Sequence, residues 1–517
     1  MKKAILVCII VFVSTVCTTT SMASLIITTP SGVGFDNQAA NMPPSYNSQS
    51  PASSSGNLSI LSPRCSAPVI LEAGGTFTIW FAADPFTSVY AYISTAYEPV
   101  VDTYWLSLQS VHIQEGNWYV NASVSESVAS ELYNLTLLLD NNGMLLTTTQ
   151  PRAVSISHIT NNFTFIHLTD FHVGDPRGFS VSISQTLGYK SVLRCISEVN
   201  LLHPDFVVIS GDLVFGQLYP REYAHEYSKL YEMLQRFDVP TYIVPGNHDS
   251  YRRPGEDGQA IWKQYFGPLY YSFNYGPFHF VAVNSYDLPA RNRWAVGPIA
   301  GYWGGSIQDE QLTWISSDLN QSSNATLTFM FMHHNPLWDT RNDSLFHNHD
   351  YMNRQQILDL INQHGVDMVL AGHVHYDSVN IVNGTTFITT TTPESEIRTA
   401  DGYWGYRMIR VENGTIVSYN YRDPYYSIPS YHLQVKFPTN QKAVVTNDLD
   451  TKVTVLLHFV LSDATYTTNV GTILMQRSDN TLKEIYMQLP VANNSQVTVK
   501  VTRVLGDQEA SSLGQLG

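Results

Sequence analysis

Charge is scarce in this sequence. Asp, Glu, Lys and Arg make up 14% of its 517 residues, against about 25% in ordinary soluble proteins. Cations are the scarcer sign: 28 Lys and Arg face 43 Asp and Glu, a formal charge of −15. Strong non-specific attraction to nucleic acid or anionic lipid is thereby excluded, and no nucleic-acid-binding patch is evident. Cysteine is nearly absent, with four in the chain. Cys8 and Cys17 both lie in the apolar N-terminus, so a disulfide-held mini-protein is excluded. Cys195 falls at helical spacing with Val192, Ile196 and Val199, which predicts a buried thiol rather than a Cys65–Cys195 bridge. Apolar runs of the roughly 20 residues that a spanning helix needs are missing as well, so no transmembrane helix is expected in the mature chain. What is present is apolar and aromatic: 44% hydrophobic residues, with 31 Tyr, 22 Phe and 9 Trp. That excludes wholesale disorder, and with Asn, Ser and Thr carrying the polar remainder it suits an exported globular protein.

The N-terminus agrees with export. Lys2 and Lys3 precede an apolar run over residues 4–13, and Ser21-Met22-Ala23 offers small residues for cleavage, predicting a signal peptide over 1–23 and a secreted product. Residues 24–58, rich in Pro, Ser, Gly, Asn and Gln, read as a flexible linker. Between 59 and 158, short runs such as Thr76-Phe-Thr-Ile-Trp-Phe and Val89-Tyr-Ala-Tyr-Ile, with the turn signal Asp140-Asn-Asn-Gly143, predict a β-sandwich-like domain. From 159 to 425 apolar strand candidates at 163–168, 206–210, 241–244, 278–283, 327–332 and 366–371 alternate with helical patterns at 185–202, 222–237, 308–319 and 354–364. Such alternation is the mark of α/β architecture. Helix signals fade again over 426–517, where runs such as Gln496-Val-Thr-Val-Lys-Val predict a small β domain.

Five of the six middle strand candidates end in residues able to bind metal. Asp170-Phe171-His172 follows the first, Gly211-Asp212 the second, Gly246-Asn247-His248-Asp249 the third, His333-His334 the fifth and Gly372-His373-Val374-His375 the sixth. In open α/β sheets the carboxyl ends of strands open on one crevice, so residues more than 200 positions apart can meet there. Carboxylates, imidazoles and one amide make a mixed nitrogen and oxygen set, without thiolate, suited to zinc, manganese or iron. Taken singly each piece is an ordinary turn, cap or core histidine. In this order, each at a strand end, the set points to one metal centre.

The series Asp-x-His, Gly-Asp, Gly-Asn-His-Asp, His-His and Gly-His-x-His resembles that of the calcineurin-like metallophosphoesterase superfamily, over about half the chain from Phe163 to Tyr421. The resemblance implies an αββα sandwich, here flanked by N-terminal and C-terminal all-β domains, and hydrolysis of phosphate mono- or diesters at two metal ions of manganese, iron or zinc. Carried over by residue, Asp170, His172, Asp212 and His375 would hold one ion. Asp212, Asn247, His333 and His373 would hold the other, with Asp212 bridging and His333 preferred to His334. Two such ions would lower the pKa of a water between them and supply hydroxide as nucleophile. His248 would act on the leaving oxygen and Asp249 would orient its imidazole. Purple acid phosphatases, a neighbouring family, place a metal-binding Tyr where this chain has Phe215, a Gly where it has His172 and a Glu where it has Asp249, so the resemblance is to the broader phosphodiesterase and phosphatase branch.

Arg252 and Arg253 are candidates to touch substrate phosphate, an exposed loop pair being the blander alternative. Residues 286–305 and 338–350 are the expected lids. The flanking β domains are candidates to bind a surface or glycan, and an extracellular binding or adhesion protein with a phosphoesterase-like scaffold is the alternative function.

Overall fold

The structure is a computed structural model that describes residues 58–504, apart from 97–99, 115, 142, 176–181, 219–220, 338–349, 394–403 and 423–424. The expected signal peptide, all of the linker but residue 58, and most of the 338–350 lid lie outside the described residues.

Strand side chains alternate between two faces, and in the middle of this chain both faces are apolar. In β1 (Phe163–Leu168) Phe163 and Phe165 point to one side and Ile166 and Leu168 to the other. The same split recurs in β2 (Phe206–Ser210) and β3 (Thr241–Val244), whose residues are all buried. Strands buried on both faces need cover on both faces, as parallel sheets do. One cover is a second sheet built of β4 (Tyr271–Tyr275), β5 (Phe278–Ala282), β6 (Leu327–Phe331), β7 (Met368–Ala371), β8 (Ser378–Val382) and β9 (Thr385–Thr389), in the order β4-β5-β6-β7-β9-β8. Phe163, Phe165, Phe206 and Val208 meet Phe278, Phe280, Phe329 and Leu370 in the core between the sheets. Within the first sheet β1, β2 and β3 run parallel, and β10 (Gly405–Glu412) and β11 (Thr415–Ser418) extend it antiparallel beyond β1.

The other cover is helical. On the outer face of the first sheet lie α1 (Leu187–Leu202), α2 (Glu222–Leu234) and α3 (Gly258–Tyr265), which bring Val192, Ile196, Tyr227, Leu230 and Trp262 onto Val207 and Ile209. On the outer face of the second, α4 (Asp309–Gln321) and α5 (Arg354–Gln363) pack Ile315, Leu319, Ile357 and Ile361 against Val281, Met330 and Val369. The four layers are helix, sheet, sheet, helix, the αββα sandwich that the resemblance implies. Because β5, β6, β7 and β9 are parallel to one another, as β1 to β3 are, each sheet presents a row of carboxyl-terminal strand ends.

The described residues on either side form strands and connecting turns, with no helix. Before residue 158 a four-stranded sheet and a five-stranded sheet enclose Ile60, Ile79, Phe81, Val120, Ile93, Leu135 and Leu137. After residue 430, strands including Leu433–Thr439, Val453–Ser462 and Leu482–Val491 share one apolar cluster with α1. Tyr431 fastens that junction: its N–H donates to Glu198 Oε1 at 2.6 Å and its ring lies 3.7 Å from the Arg194 guanidinium. Cys65 and Cys195 are free thiols, both buried, as the spacing of Cys195 predicts. No helix among the described residues is long and apolar enough to cross a membrane.

Candidate metal centre

The residues after β1, β2 and β7 leave their strands in left-handed backbone conformation. Asp170 has φ 56°, His172 45°, Asp212 53°, His373 76° and His375 58°, values that side-chain-bearing residues rarely adopt and that Asp and His tolerate better than most. Such strain persists only where neighbours over-determine it. Here the loops hold one another: Asp170 N–H donates to the Gly211 carbonyl at 3.0 Å, His172 N–H to Asp212 at 3.0 Å and Gly372 N–H to His333 at 2.9 Å. Two glycines are required by crowding rather than by φ. A Cβ on Gly246 would stand 2.2 Å from Asp212 Oδ1, and one on Gly372 would stand 1.9 Å from Thr169 Oγ1.

These loops assemble two groups of side chains around one carboxylate. In the first, His375 Nε2 lies 3.1 Å from Asp170 Oδ1 and the His172 and His375 rings meet edge to face at 5.0 Å. In the second, His333 Nε2 lies 3.1 Å from His373 Nδ1. Asp212 Oδ2 joins them, 3.5 Å from His172 Nε2 and 3.1 Å from His333 Nε2. All of these side chains are buried except His373, which is half-buried. Burial alone would push the Asp212 carboxyl up, but the imidazoles of His333 and His248 outweigh it and hold it well below the usual carboxylate range. Burial would likewise lower His333, yet the Asp212 carboxylate raises it to about 9. The centre is thus a place where buried anions favour added positive charge.

The hydrogen bonds decide which atoms remain for a metal. Asp170 Oδ2 accepts from Thr169 Oγ1 at 2.7 Å and from His373 N–H at 2.9 Å, which leaves Oδ1. Asp212 Oδ1 accepts from His248 N–H at 2.8 Å, which leaves Oδ2. His333 Nδ1 donates to the Ser210 carbonyl at 2.8 Å, which turns the Nε2 lone pair inward. Asn247 Nδ2 donates to Tyr251 Oη at 2.8 Å, while its Oδ1 is buried without a hydrogen-bond partner. A buried amide oxygen left unpaired costs about 1–3 kcal/mol, and coordination of a cation would satisfy it. The donor set and this orphaned oxygen fit a metal centre: of the seven residues expected as ligands, Asp170, His172, Asp212, His333, His373 and His375 are brought together, with His248 and His334 beside them, and Asn247 stands next to His248, whose N–H is bonded to Asp212.

His334 does not share that role. Its Nε2 donates to the Trp303 carbonyl at 2.9 Å and its Nδ1 accepts from Ser285 Oγ at 2.9 Å, so both ring nitrogens are engaged. It ties the expected lid at 286–305 to the end of β6.

Asp249 is a correction to the sequence reading. It was expected to orient the His248 imidazole, but its carboxylate accepts the main-chain N–H groups of Leu213 (3.0 Å), Val214 (3.1 Å) and Gly246 (2.8 Å) instead. It braces the loops that carry Asp212 and Asn247. The partner of the His248 ring is the Phe215 carbonyl, 2.6 Å from Nδ1. A carbonyl can only accept, so Nδ1 carries a proton and Nε2 is the atom left for chemistry. Burial lowers the imidazole to about 4, with Asp212 and the Phe215 carbonyl opposing the shift.

The two arginines part company. Arg252 is exposed, whereas Arg253 is buried, its Nη1 held by Glu222 at 2.7 Å and by the Gly216 carbonyl at 3.0 Å. The acceptor role of the Phe215 carbonyl and the burial of Glu222 and Glu226 escaped the sequence reading: a main-chain acceptor has no residue-type signature, and the spacing of two Glu on a helix does not mark them as buried.

Residues 163–377 match the family model described as calcineurin-like phosphoesterase. Among curated relatives, a probable glycerophosphodiester phosphodiesterase GpdQ of Arcobacter nitrofigilis is 25% identical over 218 residues, 40% of this chain and 71% of the relative. A probable cyclic nucleotide phosphodiesterase of Vesicomyosocius okutanii is 23% identical over 218 residues, 41% of this chain and 79% of the relative. Purple acid phosphatase 23 of Arabidopsis thaliana is 26% identical over 210 residues, 34% of this chain and 42% of the relative.

Proposed function

We propose, from the premise that residues 163–377 are a calcineurin-like phosphoesterase domain and the chain a phosphoric ester hydrolase, that it is a secreted two-metal enzyme acting on phosphate mono- or diesters. The observation that carries the two-metal part is the position of Asp212 Oδ2 between His172 and His333. Asp170, His172, Asp212 and His375 would hold one ion, and Asp212, Asn247, His333 and His373 the other. Bound there, the ions supply positive charge for the phosphoryl oxygens and lower the pKa of an attacking water. That local charge also admits phosphate to a chain whose net charge is −15.

The protein's own groups do the rest. Backbone ties and left-handed φ values hold the donors before any ion arrives, so little reorganisation is left for the reaction. His248, fixed through Nδ1, directs Nε2 toward the leaving oxygen; in its protonated form it donates there, and the substrate's negative charge opposes the downward push of burial. The relatives named as phosphodiesterases favour a diester as first substrate. Secretion rests on Lys2, Lys3 and the apolar run that follows them.

The test is elemental analysis of the purified protein, paired with turnover of p-nitrophenyl phosphate and bis-p-nitrophenyl phosphate. About two transition ions per chain with chelator-sensitive hydrolysis is the expected result. No stoichiometric metal and no turnover after reconstitution would move the alternative, a binding or adhesion role for the flanking strands, to first place.

A further inference from the structure

Helix α2 contributes no donor to the metal centre, yet two of its carboxyls, one turn apart, are completely buried beside it. Glu222 and Glu226 are both 0% exposed, which is costly for two like charges unless each is matched. Arg253 matches the first: Nη1 donates to Glu222 Oε2 at 2.7 Å and to the Gly216 carbonyl at 3.0 Å. For the second, burial, followed by the negative charge of Glu222, pushes the carboxyl well above the usual carboxylate range, which favours the acid form, and its Oε1 is buried with no hydrogen-bond partner among the described residues.

The acid is aimed at one peptide group. Glu226 Oε2 accepts from Gly216 N–H at 2.9 Å, and the carbonyl of that same peptide, Phe215 C=O, takes the Nδ1 proton of His248 at 2.6 Å. On the far side Tyr223 Oη donates to the His248 carbonyl at 2.7 Å. The close fit shows in the glycines: a Cβ on Gly174 would lie 1.8 Å from Glu226 Oε1, and one on Gly216, where φ is +60°, would lie 2.4 Å from the His248 carbonyl. We propose that Glu226 is a positioning residue for His248, holding the Phe215–Gly216 peptide in the plane and polarity that fix the imidazole. An N–H engaged by an acceptor strengthens the carbonyl of its own peptide as an acceptor. A reacting group misplaced by 1 Å can cost about 100-fold in rate.

This inference rests on the leaving-group role proposed for His248, and the experiment separates the two. E226A, E226Q and H248A are compared with wild type for metal content, for kcat and KM on aryl phosphate diesters whose phenols differ in pKa, and for the His248 Nδ1 resonance of the metal-free protein labelled with ¹⁵N-histidine. E226A is expected to lower kcat by about 10–100-fold, with KM and metal content held, more for poorer leaving groups, and to shift the Nδ1 resonance. E226Q keeps a neutral side chain with an acceptor for the Gly216 N–H, so it retains kcat and the resonance. E226M, which preserves volume but not the acceptor, replaces E226A where that variant does not fold. Equal loss for every leaving group, or an unmoved resonance, overturns the positioning role while H248A still shows the leaving-group dependence. If H248A itself shows none, the role of His248 fails, and an unshifted resonance in E226A then decides against the positioning as well.

Discussion

Asp212 and His333 meet through single atoms: Oδ2 of the carboxylate lies 3.1 Å from Nε2 of the imidazole. Each is held in that attitude by its other polar atom, Asp212 Oδ1 by the His248 N–H and His333 Nδ1 by the Ser210 carbonyl. The pair therefore links β2 of one sheet to β6 of the other at their carboxyl ends. Because Asp212 Oδ2 also faces His172, one oxygen is common to the two groups of donors.

That sharing separates Asp212 from Asn247. Asp212→Asn removes charge from both groups, whereas Asn247→Ala removes a ligand from only one. Elemental analysis after identical reconstitution should find both ions depleted in D212N and about one of about two retained in N247A. Partners outside the ligand set typically cost about 10–100-fold in metal affinity, and D212N should exceed that. Retention of both ions by D212N would remove the bridging role.

His248→Ala makes the opposite prediction. The ring meets the His172 ring edge to face, 4.8 Å between centroids, but its hydrogen bond goes to a main-chain carbonyl. Metal content should stay at the wild-type level while kcat falls by about 10²–10⁴-fold, the range for a lost proton-transfer group. Unchanged turnover would take His248 out of the chemistry.

Most of this site was visible in the sequence because its residues sit at strand ends, and the strands were visible because both faces are apolar. Phe163–Leu168, Phe206–Ser210 and Thr241–Val244 form as their composition predicts. The helix expected from 185 begins at Leu187, where Thr186 Oγ1 caps the Tyr189 N–H. What escaped the sequence depends on pairing across distance. The division of the strands between two sheets follows from contacts such as Phe165 on Phe329, 5.3 Å between ring centroids, which no local pattern encodes. Asp249, read as a partner for its neighbour His248, serves three main-chain N–H groups instead, since N–H donors are present at every residue and leave no trace in composition. The packing of the C-terminal strands on α1 has a clue in hindsight: that helix buries Glu198 and Cys195 as well as its apolar stripe, more than one sheet could cover.

Metal removal should weaken the fold as well as the activity. Asp170 and Asp212 are 0% and 2% exposed, and an ion that binds the folded chain alone stabilises it by about 2.7 kcal/mol when its free concentration is about 100 times Kd. Thermal unfolding in a strong chelator should therefore begin at lower temperature than in added manganese or zinc. D212N should show little difference between the two conditions. Equal midpoints for wild type in both would mean that the donors gain nothing from an ion.

Acid stability should depend on a histidine beneath the centre. His167 is fully buried between the sheets, Nδ1 2.8 Å from Thr390 Oγ1 and Nε2 2.8 Å from Ser210 Oγ. Burial, with the Arg407 charge adding to it and Asp170 opposing, lowers its imidazole to about 3, whereas in the unfolded chain it titrates near 6.5. The folded state thus binds fewer protons than the unfolded state between those values. The stability His167 contributes is complete above about pH 6.5 and is lost as pH falls toward 3, by up to about 1.4 kcal/mol per pH unit. Between pH 7.5 and 5.0 that amounts to about 2 kcal/mol. Urea unfolding of wild type and H167Q at the two pH values, in chelator so that metal binding adds no pH dependence of its own, isolates the effect. H167Q should be less stable at pH 7.5, because its amide cannot reproduce both hydrogen bonds in the imidazole geometry. It should also lose about 2 kcal/mol less than wild type on acidification. Arg407 and Asp170 are present in both proteins, so their contributions cancel in the comparison. Parallel losses in the two proteins would mean that His167 takes up its proton in the folded state as readily as in the unfolded one.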